Sequence, residues 1–91
     1  MGERTNYQLV LVEWVDSARG DGWVTLDHAR EDNAHTVRSV GWLIHDTAEL
    51  ICVAPHHSDE TTDADEQVSG HMKIPKRCIT KMHALADPSR G

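Results

Sequence analysis

Two apolar runs, SVGWLI over 39–44 and ELICVAP over 49–55, flank a polar interruption at His45, Asp46 and Thr47. Neither run has helical spacing, so the stretch 36–55 predicts a β-hairpin with largely buried strands. An earlier strand is predicted over 7–15. There Leu9, Leu11 and Glu13 share one face and Val10, Val12 and Trp14 the other. Both faces are apolar at the centre, which places this strand inside a sheet or under cover on both sides. In the hairpin, Gly41 inside a strand marks a bend or a close backbone approach. Pro55 removes a ladder donor and ends the returning strand.

Between these strands the pattern changes. The loop from Asp16 and Ser17 holds Gly20 and Gly22, suited to a turn. The stretch 23–33 predicts a short helix of about two to three turns, marginal alone and needing to dock on the sheet. Thr25 is placed to cap it and Asp27 lies in its first turn. Val24, Leu26 and Ala29 would face inward, and Asn33 would end it. After the hairpin, the stretch 56–69 reads as a mobile acidic loop with little to bury. Val68 opens another strand, Gly70 turns it, and Pro75 breaks it. A last strand is expected over 78–85, followed by a flexible tail over 86–91. The chain thus reads as one domain over 1–91, mainly β: five strands with one short helix between the first two. Its expected core is Trp14, Trp42, Leu43, Ile51, Val53, Ile74 and Ile79.

Composition narrows this. A chain of 91 residues buries roughly 60–65% of its unfolded surface, so the core is thin. With no Phe, three Trp carry most of the aromatic area. A net charge of −6 repels a phosphate backbone on average and counts against a nucleic-acid binder. No run of about eighteen apolar residues occurs, so no membrane span is expected. The first residues lack the apolar core of a signal peptide. Cys52 and Cys78 are too few for a secreted disulfide scaffold and read as free thiols, which favours the cytoplasm.

Seven histidines raise a metal site, yet none is paired at the short spacings of a zinc signature. The weak alternative is a composite of His56, Asp59 and His71; solvated histidines are the simpler account. The acidic loop lacks the ligand alternation and central Gly of a calcium loop. No nucleophile elbow is present at Ser17 and no base accompanies Cys78, so no catalytic residues are assigned. Lys73, Lys76, Arg77 and Lys81 gather four of the nine cations into nine residues. They form a candidate phosphate or nucleic-acid site, or else keep a sheet edge soluble.

Gly41 in a long strand, the Ile74-Pro75 corner and Ile79 after it resemble the core of an Sm-like barrel. The expected fold is therefore a small five-stranded Sm-like barrel, although the helix falls after the first strand instead of before it. Most of the chain is also similar to small uncharacterised bacteriophage-encoded proteins, through Trp14 with Asp16-Ser17, through Val40-Gly41-Trp42, and through Ile74-Pro75. These resemblances imply a non-catalytic, homo-oligomeric binding module acting on a protein or small ligand in the host cytoplasm. They imply partners among copies of itself, a host protein, a nucleotide or RNA, with no cofactor and no membrane. The alternative is nucleotide or nucleic-acid binding through the Lys73–Lys81 cluster.

Overall fold

A computed structural model of the chain describes residues 7–16, 23–31 and 35–90. The fold is mainly β. A five-stranded antiparallel sheet is built from β1 (Gln8–Asp16), β2 (His35–Asp46), β3 (Leu50–Ala54), β6 (Met72–Pro75) and β7 (Ile79–Ala84), in the order β6-β3-β2-β1-β7. Two further strands, β4 (His56–Ser58) and β5 (Gln67–Ser69), pair separately with each other. The expected hairpin is present as β2 and β3, but its turn lies later than the polar residues suggest. His45 and Asp46 remain in the ladder, opposite Cys52 and Ile51. The Thr47 hydroxyl accepts from the amides of Glu49 and Leu50 at 3.3 and 3.1 Å, which moves the reversal to residues 47–49.

The five strands do not close into the expected barrel: β6 and β7 share no ladder. They are nevertheless neighbours in the chain, joined by a 3-10 turn, Lys76–Cys78. Across a flat sheet the two edges would stand about 19 Å apart. The four residue steps from Pro75 to Ile79 reach at most about 14 Å, so the sheet must curl. Its core side collects Val10, Val12, Ile51, Val53 and Ile74, with Trp14, Leu43 and Ile79 packed against them. Trp42 departs from the expected core. It pairs with Leu9, whereas Gly41 pairs with the core residue Val10, so Trp42 projects from the opposite face.

At Gly41 the strands β2 and β3 approach closely. A Cβ there would stand 2.7 Å from both the Ala54 carbonyl oxygen and Val53 Cγ1. The close approach read from the sequence is therefore real. A bulge between Glu13 and Trp14 offsets β7, and the Thr80 hydroxyl donates to the Glu13 carbonyl at 3.1 Å.

Between β1 and β2 lies α1 (Leu26–Ala29), capped as anticipated: Thr25 Oγ1 accepts from the His28 amide at 3.2 Å, with Asp27 in the first turn. The helix is shorter than expected and does not dock. None of its residues is buried, so Val24, Leu26 and Ala29 do not face a core. The expected turn glycines, Gly20 and Gly22, and the helix end at Asn33 fall outside the described residues.

Candidate functional site

The stretch expected to be a mobile acidic loop is tied at both ends by the β4–β5 ladder, which places His56 opposite Ser69 and His57 opposite Val68. The hairpin of β3 and β6 thus continues into β4 and β5 through a corner at Pro55 and Gly70. Gly70 has φ +73°, with the Pro55 ring 3.1 Å from where a Cβ would lie. At the tip, the Thr61 hydroxyl accepts from the amides of Asp63 and Ala64, and the Thr61 amide donates to the Ala64 carbonyl at 2.8 Å.

Strand alternation sends His56 outward and His57 inward. The His57 side chain is only 7% exposed. Its Nε2 lies 2.7 Å from Glu66 Oε2 and its Nδ1 lies 3.6 Å from Asp59 Oδ1. The Tyr7 ring meets it edge-on at 5.8 Å and the Trp42 ring lies tilted at 6.2 Å. Trp42 Nε1 in turn donates to Asp87 Oδ2 at 3.0 Å. Asp87 Oδ1 accepts from the Ser89 amide and hydroxyl at 2.9 and 2.6 Å. One cluster therefore joins β1's entry, β2, the β4–β5 hairpin and the C-terminal segment. Because carboxylates face both ring nitrogens, the geometry suits a clamp that fixes the hairpin over Trp42.

Sequence reading gave His57 no role distinct from a solvated histidine. Its one available cue was alternation in HHS, which puts adjacent histidines on opposite faces. Of the composite of His56, Asp59 and His71, both histidines are exposed, and Asp59 Oδ1 lies 3.6 Å from His57 Nδ1. No group of three His, Cys, Asp or Glu side chains among the described residues is arranged to hold a metal ion. Of the thiols, Cys52 is buried and Cys78 half-buried.

The four cations are brought to the two sheet edges and the turn joining them. Lys73 lies on β6 opposite Cys52, and Lys81 on β7 opposite Glu13. Lys76 and Arg77 occupy the 3-10 turn. Lys76 Nζ is paired with Asp46 Oδ1 at 2.6 Å, and the Lys76 amide donates to the Glu49 carbonyl. On the face opposite the core, Lys81, Glu13 and Arg38 form a row across β7, β1 and β2. Arg38 Nε lies 2.8 Å from Glu13 Oε1. That hydrogen bond, reinforced by the positive charges of Arg38, Lys81 and His83, outweighs desolvation and holds the Glu13 carboxyl below its ordinary range.

The edges themselves are the other notable surface. Among the described residues, β6 and β7 each pair with a single strand. Each also carries a core-facing methionine that stays 43% exposed, Met72 on β6 and Met82 on β7. Among the described residues no helix is long and apolar enough to cross a membrane. Compared with protein-family models, curated proteins and solved structures, the chain matches none.

Proposed function

We propose that this chain is a non-catalytic binding module that assembles with copies of itself through the edges β6 and β7. The carrying observation is the pair of half-exposed, core-facing methionines, Met72 and Met82, one on each unpaired edge. An unpaired strand offers a row of backbone donors and acceptors that a second chain satisfies. Edge-to-edge pairing would also bury both methionines. The curled sheet and the short Lys76–Cys78 turn support reading the fold as a small barrel of the Sm-like kind, left open at its edges. The surface so formed would engage a protein or a small ligand.

Light scattering on a size-exclusion column tests this. The expected result is an oligomer at micromolar concentration whose size Met82→Lys, an edge substitution, reduces. A wild-type chain that runs as a monomer overturns the reading. Phosphate or nucleotide binding through Lys73, Lys76, Arg77 and Lys81 draws less support, because Lys76 is engaged by Asp46 and Lys81 faces Glu13. Reversing all four charges would abolish such binding and its steep salt dependence.

A further inference from the structure

Among the described residues, two apolar surfaces other than the paired-strand edges are exposed. The first is the α1 segment. Trp23 is fully exposed, at 104% relative accessibility, Leu26 is 70% exposed, and Val24 is exposed beside them. A four-residue helix with no buried residue has little to hold it beyond the Thr25 cap, since isolated helices of this length are marginal in water. Clustered exposed apolar residues rimmed by charge are the usual mark of an interaction site.

The second surface is the sheet face opposite the core. Val40 sits on β2, a strand paired on both sides, yet it is 53% exposed. Its cross-strand partner on this face is Leu11, and Leu11 is opposed in turn by His83 on β7. The next row toward the β1–β2 connection is Lys81, Glu13 and Arg38, two cations on one carboxylate, which leaves a net positive charge. The α1 segment has the opposite balance: Asp27 and Glu31 lie against Arg30 and His28 at 4.0 and 3.6 Å, and both acids stay largely exposed.

We propose that α1 of one copy docks on the Val40 face of a second copy, giving a symmetric dimer. Trp23 and Leu26 would cover Val40 and Leu11, while Asp27 and Glu31 would meet the Arg38–Lys81 row. The complementary surfaces belong to the same chain, so a two-fold axis uses each contact twice and leaves neither surface open. A second copy is the occupant because α1 stands clear of its own sheet, with every residue from Trp23 to Glu31 exposed. This dimer does not depend on pairing at β6 and β7.

Complementation tests it. Sedimentation velocity is run on the wild type, on Trp23→Ser, on Val40→Asp, and on an equimolar mixture of the two variants. Both positions are at least half exposed, and matching thermal unfolding midpoints would establish that the variants fold. The expected result is a self-associating wild type and at least tenfold weaker association across the α1 contact for each variant alone. In the mixture, an intact α1 from the Val40→Asp chain meets an intact face on the Trp23→Ser chain, so heterodimer association recovers part of the loss. A monomeric wild type overturns the proposal, as does a mixture no stronger than its components. Assembly unchanged in both variants also overturns it while leaving edge pairing intact. Concentration-independent burial of Trp23, read by its fluorescence, would mean that α1 folds onto its own sheet and would equally overturn it.

Discussion

Gly41 shows how one residue type sets a local distance. Because it has no Cβ, Val53 and the Ala54 carbonyl can occupy the space beside it. Gly41→Ala forces backbone apart, and overpacking of this kind costs about 1–3 kcal/mol. Urea unfolding should show a lower midpoint with an unchanged slope. Glu13 makes a prediction in pH. Its folded carboxyl titrates below the ordinary glutamate range because Arg38 donates to it. The stabilisation is therefore present above the unfolded value and is lost as pH falls through the lower folded one. Wild-type stability should drop more than that of Glu13→Gln as pH is lowered from about 5 to 3. Parallel pH profiles for the two proteins would count against the assignment. Since the pair lies on an open surface, the difference should shrink in high salt.

At the scale of elements, the strands of the large sheet were legible because their apolar residues run without helical spacing. Register was not. The alternation of 9–14 separates Val10 and Val12 from Leu9 and Leu11, but only pairing with β2 shows that Trp42 follows Leu9 away from the core. The capping of α1 was equally legible, since Thr25 and Asp27 act within one turn. Whether a surface exists to receive Leu26 is a tertiary question, and local pattern carries no answer to it. The same holds for the clamp on β4 and β5. These three-residue strands have almost no apolar pattern, and His57 and Glu66 meet only because the ladder brings them together across the loop. His57→Ala removes the ring contacts with Tyr7 and Trp42 and leaves Glu66 without this partner. A cost of about 1–3 kcal/mol is expected. It should fall mostly on local opening, so amide exchange should quicken about tenfold or more in β4 and β5. Exchange in β1 and β2 should change far less. Equal acceleration everywhere would mean the clamp supports the whole fold, not the hairpin.

At the scale of the molecule, the largest fully buried side chains among the described residues are Ile51, Ile74 and Val12, which leaves little reserve. A domain of this size is stable by roughly 5–15 kcal/mol. Ile74→Ala, which removes side-chain volume where β6 closes over the core, costs about 2–5 kcal/mol. Urea unfolding of that variant should therefore begin at much lower denaturant, with a large unfolded fraction at 37 °C. The thin core also bears on assembly. Met72 and Met82 point to the core side yet remain half exposed, so a second chain at either edge would complete cover that one chain lacks. Lys73 and Pro75 on β6 and Lys81 on β7 are residues that discourage indiscriminate edge pairing. A specific pairing must accommodate them, with the lysines outward and the methionines in contact. If edge pairing contributes to stability, unfolding becomes dependent on concentration. Each tenfold rise in free partner above Kd adds about 1.4 kcal/mol, which for a domain this small raises Tm by several degrees. Met82→Lys should weaken that dependence, whereas Trp23→Ser should leave the edge contribution in place. A Tm independent of wild-type concentration over two orders of magnitude would show that the open edges contribute nothing to stability, and the thin core would then have to hold the fold alone.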